Sequence, residues 1–163
     1  MTPPIVAVCG AKNAGKTTLI EGLLGALTRQ GVRVAVIKHD GHRFEPDREG
    51  TDSFRALSAG AMGAAVFDGE KFQLVKRAAV TERELAALFP EAELILLEGG
   101  KSSEWPKLEV VRGGTAVSDP AVRIALVTDG PFNAGGVPVF SPDDVEGLAA
   151  FLLSFTRGER QVP

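Results

Sequence analysis

A single cysteine, Cys9, stands in a chain of 163 residues. One thiol cannot close an intrachain bridge, so a disulfide scaffold is excluded, and the usage fits a reducing cytoplasm. Long apolar runs are also missing; the longest fall far short of the ~20 residues a membrane-spanning helix needs. Residues 1–10 lack the basic start and extended apolar stretch of a signal peptide. The expectation is a soluble, unexported, cytoplasmic protein with no membrane partner. Nor is there an excess of basic charge: 18 Lys and Arg stand against 21 Asp and Glu, a net charge of −3. Nucleic acid as a partner is disfavoured on that footing, while a local phosphate site is not. No internal repeat, low-complexity tract or linker separates two halves. The reading is one domain over 1–157 and a polar tail over 158–163, long enough to bury a core without metal or bridge.

What the chain does contain is an alternation of short apolar runs and amphipathic segments. Ile5 to Cys9 reads as a buried strand. Leu19, Ile20, Leu23, Leu24 and Leu27 then recur at helical spacing between Lys16 and Gln30, with Gly31 placed as a left-handed cap. Val32 to Ile37 completes a strand, helix, strand unit with parallel strands and a right-handed crossover. Further on, Ala64 to Phe67 and Phe72 to Lys76 flank the turn residues Asp68-Gly69-Glu70-Lys71 and predict a hairpin. Thr81-Glu82-Arg83-Glu84 is a capping box for a helix through Phe89. Leu94 to Leu97, Leu108 to Val111, Ile124 to Val127 and Val137 to Phe140 read as strands. Ser141-Pro142-Asp143-Asp144 opens a last helix with Val145, Leu148, Ala149 and Leu152 on one face. The predicted fold class is α/β, a P-loop NTPase-like three-layer α/β/α arrangement with a mainly parallel sheet and a β-hairpin.

Gly10-Ala11-Lys12-Asn13-Ala14-Gly15-Lys16-Thr17 matches G-x-x-x-x-G-K-[ST] in full, after a strand and opening a helix. That context makes the motif a phosphate cradle: backbone N–H groups from Gly10 through Asn13, Ala14 and Gly15 turn toward a β-phosphate, and Lys16 reaches the β and γ oxygens. The Thr17 hydroxyl can ligate Mg²⁺, Thr18 follows in the first turn, and the helix adds its positive end. Glu98, after four apolar residues, ends a buried strand where an acid can act on a Mg²⁺ shell, through a water because the usual acid there is Asp. Lys38-His39-Asp40-Gly41-His42-Arg43 ends the second strand at the same sheet edge, with Asp40 as a second metal-shell carboxylate. His39 and His42 are the chain's two histidines, and with one cysteine they match no closed zinc site. Asp129, after Val127-Thr128, ends a late strand at the ligand edge, where its carboxylate is a candidate acceptor for paired hydrogen bonds from a nucleotide base; a plain turn role stays open beside it. Cys9 reads as a small buried apolar side chain.

These residues resemble the MobB family, molybdopterin-guanine dinucleotide biosynthesis adaptor proteins that are small GTP-binding P-loop proteins. The resemblance spans nearly the whole chain. It rests on Lys16-Thr17-Thr18, on Lys38 to Phe44 followed by Asp47, Gly50-Thr51-Asp52-Ser53, Arg55 and Ala59-Gly60-Ala61, and on Glu98-Gly99 and Pro106-Lys107-Leu108-Glu109. Two departures stand out: Gly100 where the family usually has an aromatic residue, and Lys12-Asn13-Ala14 in the loop. Neither removes a phosphate or metal ligand. The resemblance implies GTP and Mg²⁺ as cofactors, hydrolysis that is weak at most, a homodimer, and a molybdopterin guanylyltransferase as protein partner. It also implies that His39, His42, Arg43, Asp52 and Arg55 face that partner or molybdopterin, whose phosphate Lys38, Arg43, Arg48 and Arg55 would suit. A P-loop small-molecule kinase and a partition-type ATPase remain the alternatives, although Ala11 stands where the latter carries its signature lysine.

Overall fold

The computed structural model describes residues 2–41 and 44–158. Its contacts divide the chain into two compact units, Met1–His39 with Glu82–Pro163, and Asp40–Thr81, where the sequence reading expected one domain over 1–157. Of the expected tail, residues 159–163 lie outside the described residues.

The larger unit is a six-stranded sheet of β1 (Ile5–Gly10), β2 (Val34–Lys38), β5 (Leu94–Glu98), β6 (Lys107–Val111), β7 (Arg123–Thr128) and β8 (Val139–Phe140). Their order is β2-β5-β1-β6-β7-β8, and every pairing is parallel. β1 and β2 are parallel as expected, but β5 lies between them. Because side chains alternate across a strand, each strand feeds two cores. Val6, Val8, Leu94, Leu96, Leu108 and Val110 face one way, against Leu19, Leu23 and Leu27 of α1 (Lys16–Arg29) and Leu148, Phe151 and Leu152 of α4 (Val145–Thr156). Ile5, Ala7, Ile37, Ile95 and Leu97 face the other way, against Ala86 of α3 (Glu82–Ala86), Phe89 and Trp105. Arg83 lies over the Trp105 ring, 4.6 Å from its centre, a cation–π contact that closes the outer side of this layer. Helices on both faces of a parallel sheet are the three-layer arrangement expected.

Local chemistry sets the helix ends. The Asp144 side chain accepts from Gly147 N at 3.0 Å and caps α4, satisfying one of its orphan donors. α3 is shorter than the capping box suggested; after Ala86 the chain tightens into turns, with Leu88 N donating to Leu85 O and Phe89 N to Ala86 O. β2 and β8 each begin two residues later than their apolar runs.

The smaller unit contains α2 (Asp52–Ser58) and the antiparallel hairpin of β3 (Gly63–Phe67) and β4 (Phe72–Lys76), a separate two-stranded sheet. Asp68 accepts from Glu70 N and Lys71 N at the turn. The hairpin is where the sequence placed it, whereas α2 is an element the sequence reading did not assign.

Candidate functional site

Gly10 ends β1 and is Cα partner to Val110 of β6. A Cβ at Gly10 would overlap the Val110 carbonyl oxygen, and Gly10 has φ +146°. Only glycine therefore lets the chain turn off β1 while staying against β6. Asn13 is left-handed with φ 62°, a conformation its short polar side chain tolerates, and Ala14 is buried beneath the loop. Gly15, with φ 97°, is the N-cap of α1 and makes no side-chain cap. The loop thus reaches a helix N-terminus whose orphan N–H groups remain for an anion.

Lys16 Nζ donates to Ala11 O at 2.7 Å and Gly10 O at 3.2 Å, holding its ammonium over the loop. Thr17 Oγ1 donates to Glu98 Oε1 at 2.9 Å. The strand order makes this contact, since β5 runs beside β1 with Val8 and Glu98 in register. The hydroxyl proton is spent on the carboxylate and the oxygen lone pairs stay available, which suits a hard cation. Among the described residues no group of three or more His, Cys, Asp and Glu side chains gathers to cage a metal. The oxygen set of Thr17 and Glu98 fits a cation that takes few protein ligands and completes its shell with phosphate and water, the habit of Mg²⁺.

Asp129 lies just beyond β7, on the sheet edge that carries the P-loop, and its Oδ2 is 3.7 Å from Arg112 Nε. His39 Nδ1 is 3.9 Å from Glu82 Oε1. Asp40 is exposed and begins the smaller unit. Asp52, in the first turn of α2, and Arg55, in its last, pair with each other at 3.7 Å on an exposed face. His42 and Arg43 lie outside the described residues. Thr18 occupies the first turn of α1 with its side chain exposed. The structure therefore joins Thr17 to Glu98 directly, while Asp52 and Arg55 belong to the separate smaller unit.

Two residues that marked the resemblance prove to be architectural. Asp47 accepts from Arg48 N and from the Thr51 hydroxyl, and Thr51 in turn accepts from Phe54 N to cap α2. A hydrogen bond from Ser53, followed by those of Arg48 and Thr51, holds the Asp47 carboxyl below the usual range. Lys107 and Glu109, which also marked the resemblance but were assigned no role, belong to a buried polar cluster beside the P-loop strand. Glu109, fully buried in β6, accepts from Val117 N, from Ser118 N at 3.1 Å, from the Ser118 hydroxyl at 2.6 Å and from Arg123 Nε at 2.8 Å. Lys107, one pleat earlier, donates to Ser103 O and to Trp105 O, and burial lowers its pKa. Cys9, opposite Glu109 in register, has its thiol pushed up to about 11, first by burial and then by the Glu109 charge. A charged residue inside an apolar run, as at 107 and 109, was the available signal, but its partner was not legible.

A Gly-rich loop at the carboxyl edge of a parallel sheet, opening a helix and linked through threonine to an acid on the adjacent strand, defines a P-loop nucleotide-binding protein. Residues 5–129 match the family described as molybdopterin guanine dinucleotide synthesis protein B, MobB. A molybdopterin-guanine dinucleotide biosynthesis adapter protein of Escherichia coli K12 is 33% identical, with 93% of each chain covered. A probable one of Bacillus subtilis 168 is 35% identical over 96% of this chain and 95% of that one. The crystal structure of Bacillus subtilis MobB superposes with a TM-score of 0.77 at 31% identity, covering 93% of this chain and 96% of the other. The chain belongs to the MobB family.

Proposed function

We propose that this protein binds GTP with Mg²⁺ and serves as an adapter in the formation of molybdopterin guanine dinucleotide, assisting a molybdopterin guanylyltransferase and hydrolysing GTP weakly at most. The observation that carries the nucleotide reading is the Thr17 to Glu98 hydrogen bond at the mouth of the P-loop. The names of the relatives support the pathway. In this reading the loop from Gly10 to Gly15 binds the β-phosphate through backbone N–H groups, and Lys16 leaves its loop carbonyls for β and γ oxygens. Thr17 would hold Mg²⁺ directly and Glu98 through water; the ion supplies neutralisation of phosphate charge. Asp129 reads the guanine edge, with Arg112 orienting its carboxylate.

The protein acts as a homodimer in this reading, and the hairpin supplies the supporting surface. Phe67 pairs with Phe72 and Ala65 with Leu74, so these four side chains share one hairpin face. Phe67 is 80% and Phe72 75% exposed. A second copy of the same face is a self-complementary cover for it.

Reconstituted guanylation tests the adapter role. Purified transferase, molybdopterin and GTP are combined with no adapter, with this protein, or with its Lys16→Ala variant. The wild-type chain should stimulate dinucleotide formation. Lys16→Ala should stay folded but bind GTP about ten- to a hundredfold more weakly, the loss of charge-assisted contacts, and fail to stimulate. No stimulation by the wild type, together with acceptor-dependent turnover of several per second or faster, would make it a kinase instead.

A further inference from the structure

Lys38 ends β2 and Glu98 ends β5 as register partners on neighbouring parallel strands. Lys38 Nζ stands 3.7 Å from Glu98 Oε1, the same oxygen that accepts the Thr17 hydroxyl. The Glu98 side chain is 13% exposed against 59% for Lys38, so one carboxylate oxygen, largely shielded from water, is shared between a hydroxyl and a solvent-exposed ammonium. The backbone keeps them together. His39 N donates to Glu98 O at 2.9 Å, and a Cβ at Gly99 would come within 3.0 Å of His39 O, so the two strand ends are closely packed. His39 is tied in turn toward Glu82 at the start of α3.

The motif alone assigns Lys38 no part in this site; the strand order does. An ammonium within 4 Å of the metal-shell acid cancels much of the local negative potential. A divalent cation held by Thr17 and Glu98 alone would meet that positive charge. Nucleotide phosphates would reverse the balance by giving both cations an anionic partner.

We propose that Lys38 makes divalent-cation binding conditional on nucleotide: its pairing with Glu98 disfavours a metal ion at Thr17 and Glu98 until phosphate oxygens are present. This rests on the reading of Thr17 and Glu98 as the metal site. Mn²⁺ is the probe, its free concentration followed by electron paramagnetic resonance, for wild type, Lys38→Met and Lys38→Arg, each with and without GTP. Circular dichroism checks that each exposed substitution leaves the fold intact. Without nucleotide, Lys38→Met should bind Mn²⁺ about fivefold more tightly than wild type, the scale of a partly exposed charge pair. Lys38→Arg should behave as wild type, and with GTP present the gain should disappear. Equal Mn²⁺ affinities of Lys38→Met and wild type without nucleotide, with Mn²⁺ and GTP still bound together, would overturn the Lys38 proposal and leave the metal site standing. No Mn²⁺ retention by any variant even with GTP would overturn the metal site, and the proposal with it.

Discussion

Replacing Glu109 with glutamine should be among the most damaging single changes in the molecule, although it alters one atom. Glu109 is fully buried and Arg123 is 7% exposed. The pair is joined at 2.8 Å, while Arg123 Nη2 donates to Ser118 O at 2.8 Å. Glutamine keeps the volume but loses the charge and one acceptor oxygen. Two backbone donors, the Ser118 hydroxyl and a guanidinium would then compete for a single neutral acceptor. Breaking one side of a buried ion pair leaves the other charge uncompensated and costs about 3–5 kcal/mol, a large share of the ~5–15 kcal/mol that holds a domain together. Removing both charges should be milder, because no ion is left stranded. Urea unfolding followed by circular dichroism is the assay, for wild type, Glu109→Gln, Arg123→Gln and the double variant. The double variant should lose less than the sum of the two single losses. A Glu109→Gln stability within about 1 kcal/mol of wild type at an unchanged slope, well under the expected cost, would refute the claim that this pair anchors residues 117 and 118 to β6.

Gly10→Ala combines a clash with Val110 O and an unfavourable φ, and should cost about 2–4 kcal/mol. Gly15→Ala has open space around it and should cost only about 1–2 kcal/mol from its φ; equal losses in urea unfolding would contradict the steric argument. With the Cys9 thiol raised from 9.0 to about 11, the neutral form is favoured in the folded chain. Its contribution to stability is full below pH 9 and is lost as the pH climbs through 11, since the unfolded chain releases the proton first. Native Cys9 should accordingly react with iodoacetamide at pH 8.5 about a hundredfold more slowly than in urea, as a protonated, shielded thiol does; comparable rates would show it accessible. Phe67→Glu with Phe72→Glu should convert the proposed dimer to a protomer of 17.1 kDa by sedimentation; a wild type that is already a protomer would overturn the dimer, and a dimer unaffected by both charges would remove the hairpin from the interface.

The sequence by itself determined the elements whose signals are local. The P-loop needs glycines at 10 and 15 and a lysine and threonine after them, whatever surrounds it. The alternation of apolar runs with the periodic leucines of α1 and α4 dictates a parallel sheet covered by helices. α2 escaped because Asp52 to Ser58 is too short and polar for a helical period to show; its start is written instead in Thr51 and Asp47, side chains that take on a capping role only when the chain has turned. Strand order belonged to the tertiary structure. Runs such as Leu94 to Leu97 are apolar on both faces and so name no neighbour, yet the placement of β5 between β1 and β2 is what brings Glu98 to Thr17 and Lys38 to Glu98. The buried charges were decided there too. In the sequence Glu109 and Arg123 are ordinary polar residues in apolar strands; only the pairing of β6 with β7 and the return of the chain at Ser118 let them be buried together, each supplying what the other's desolvation costs.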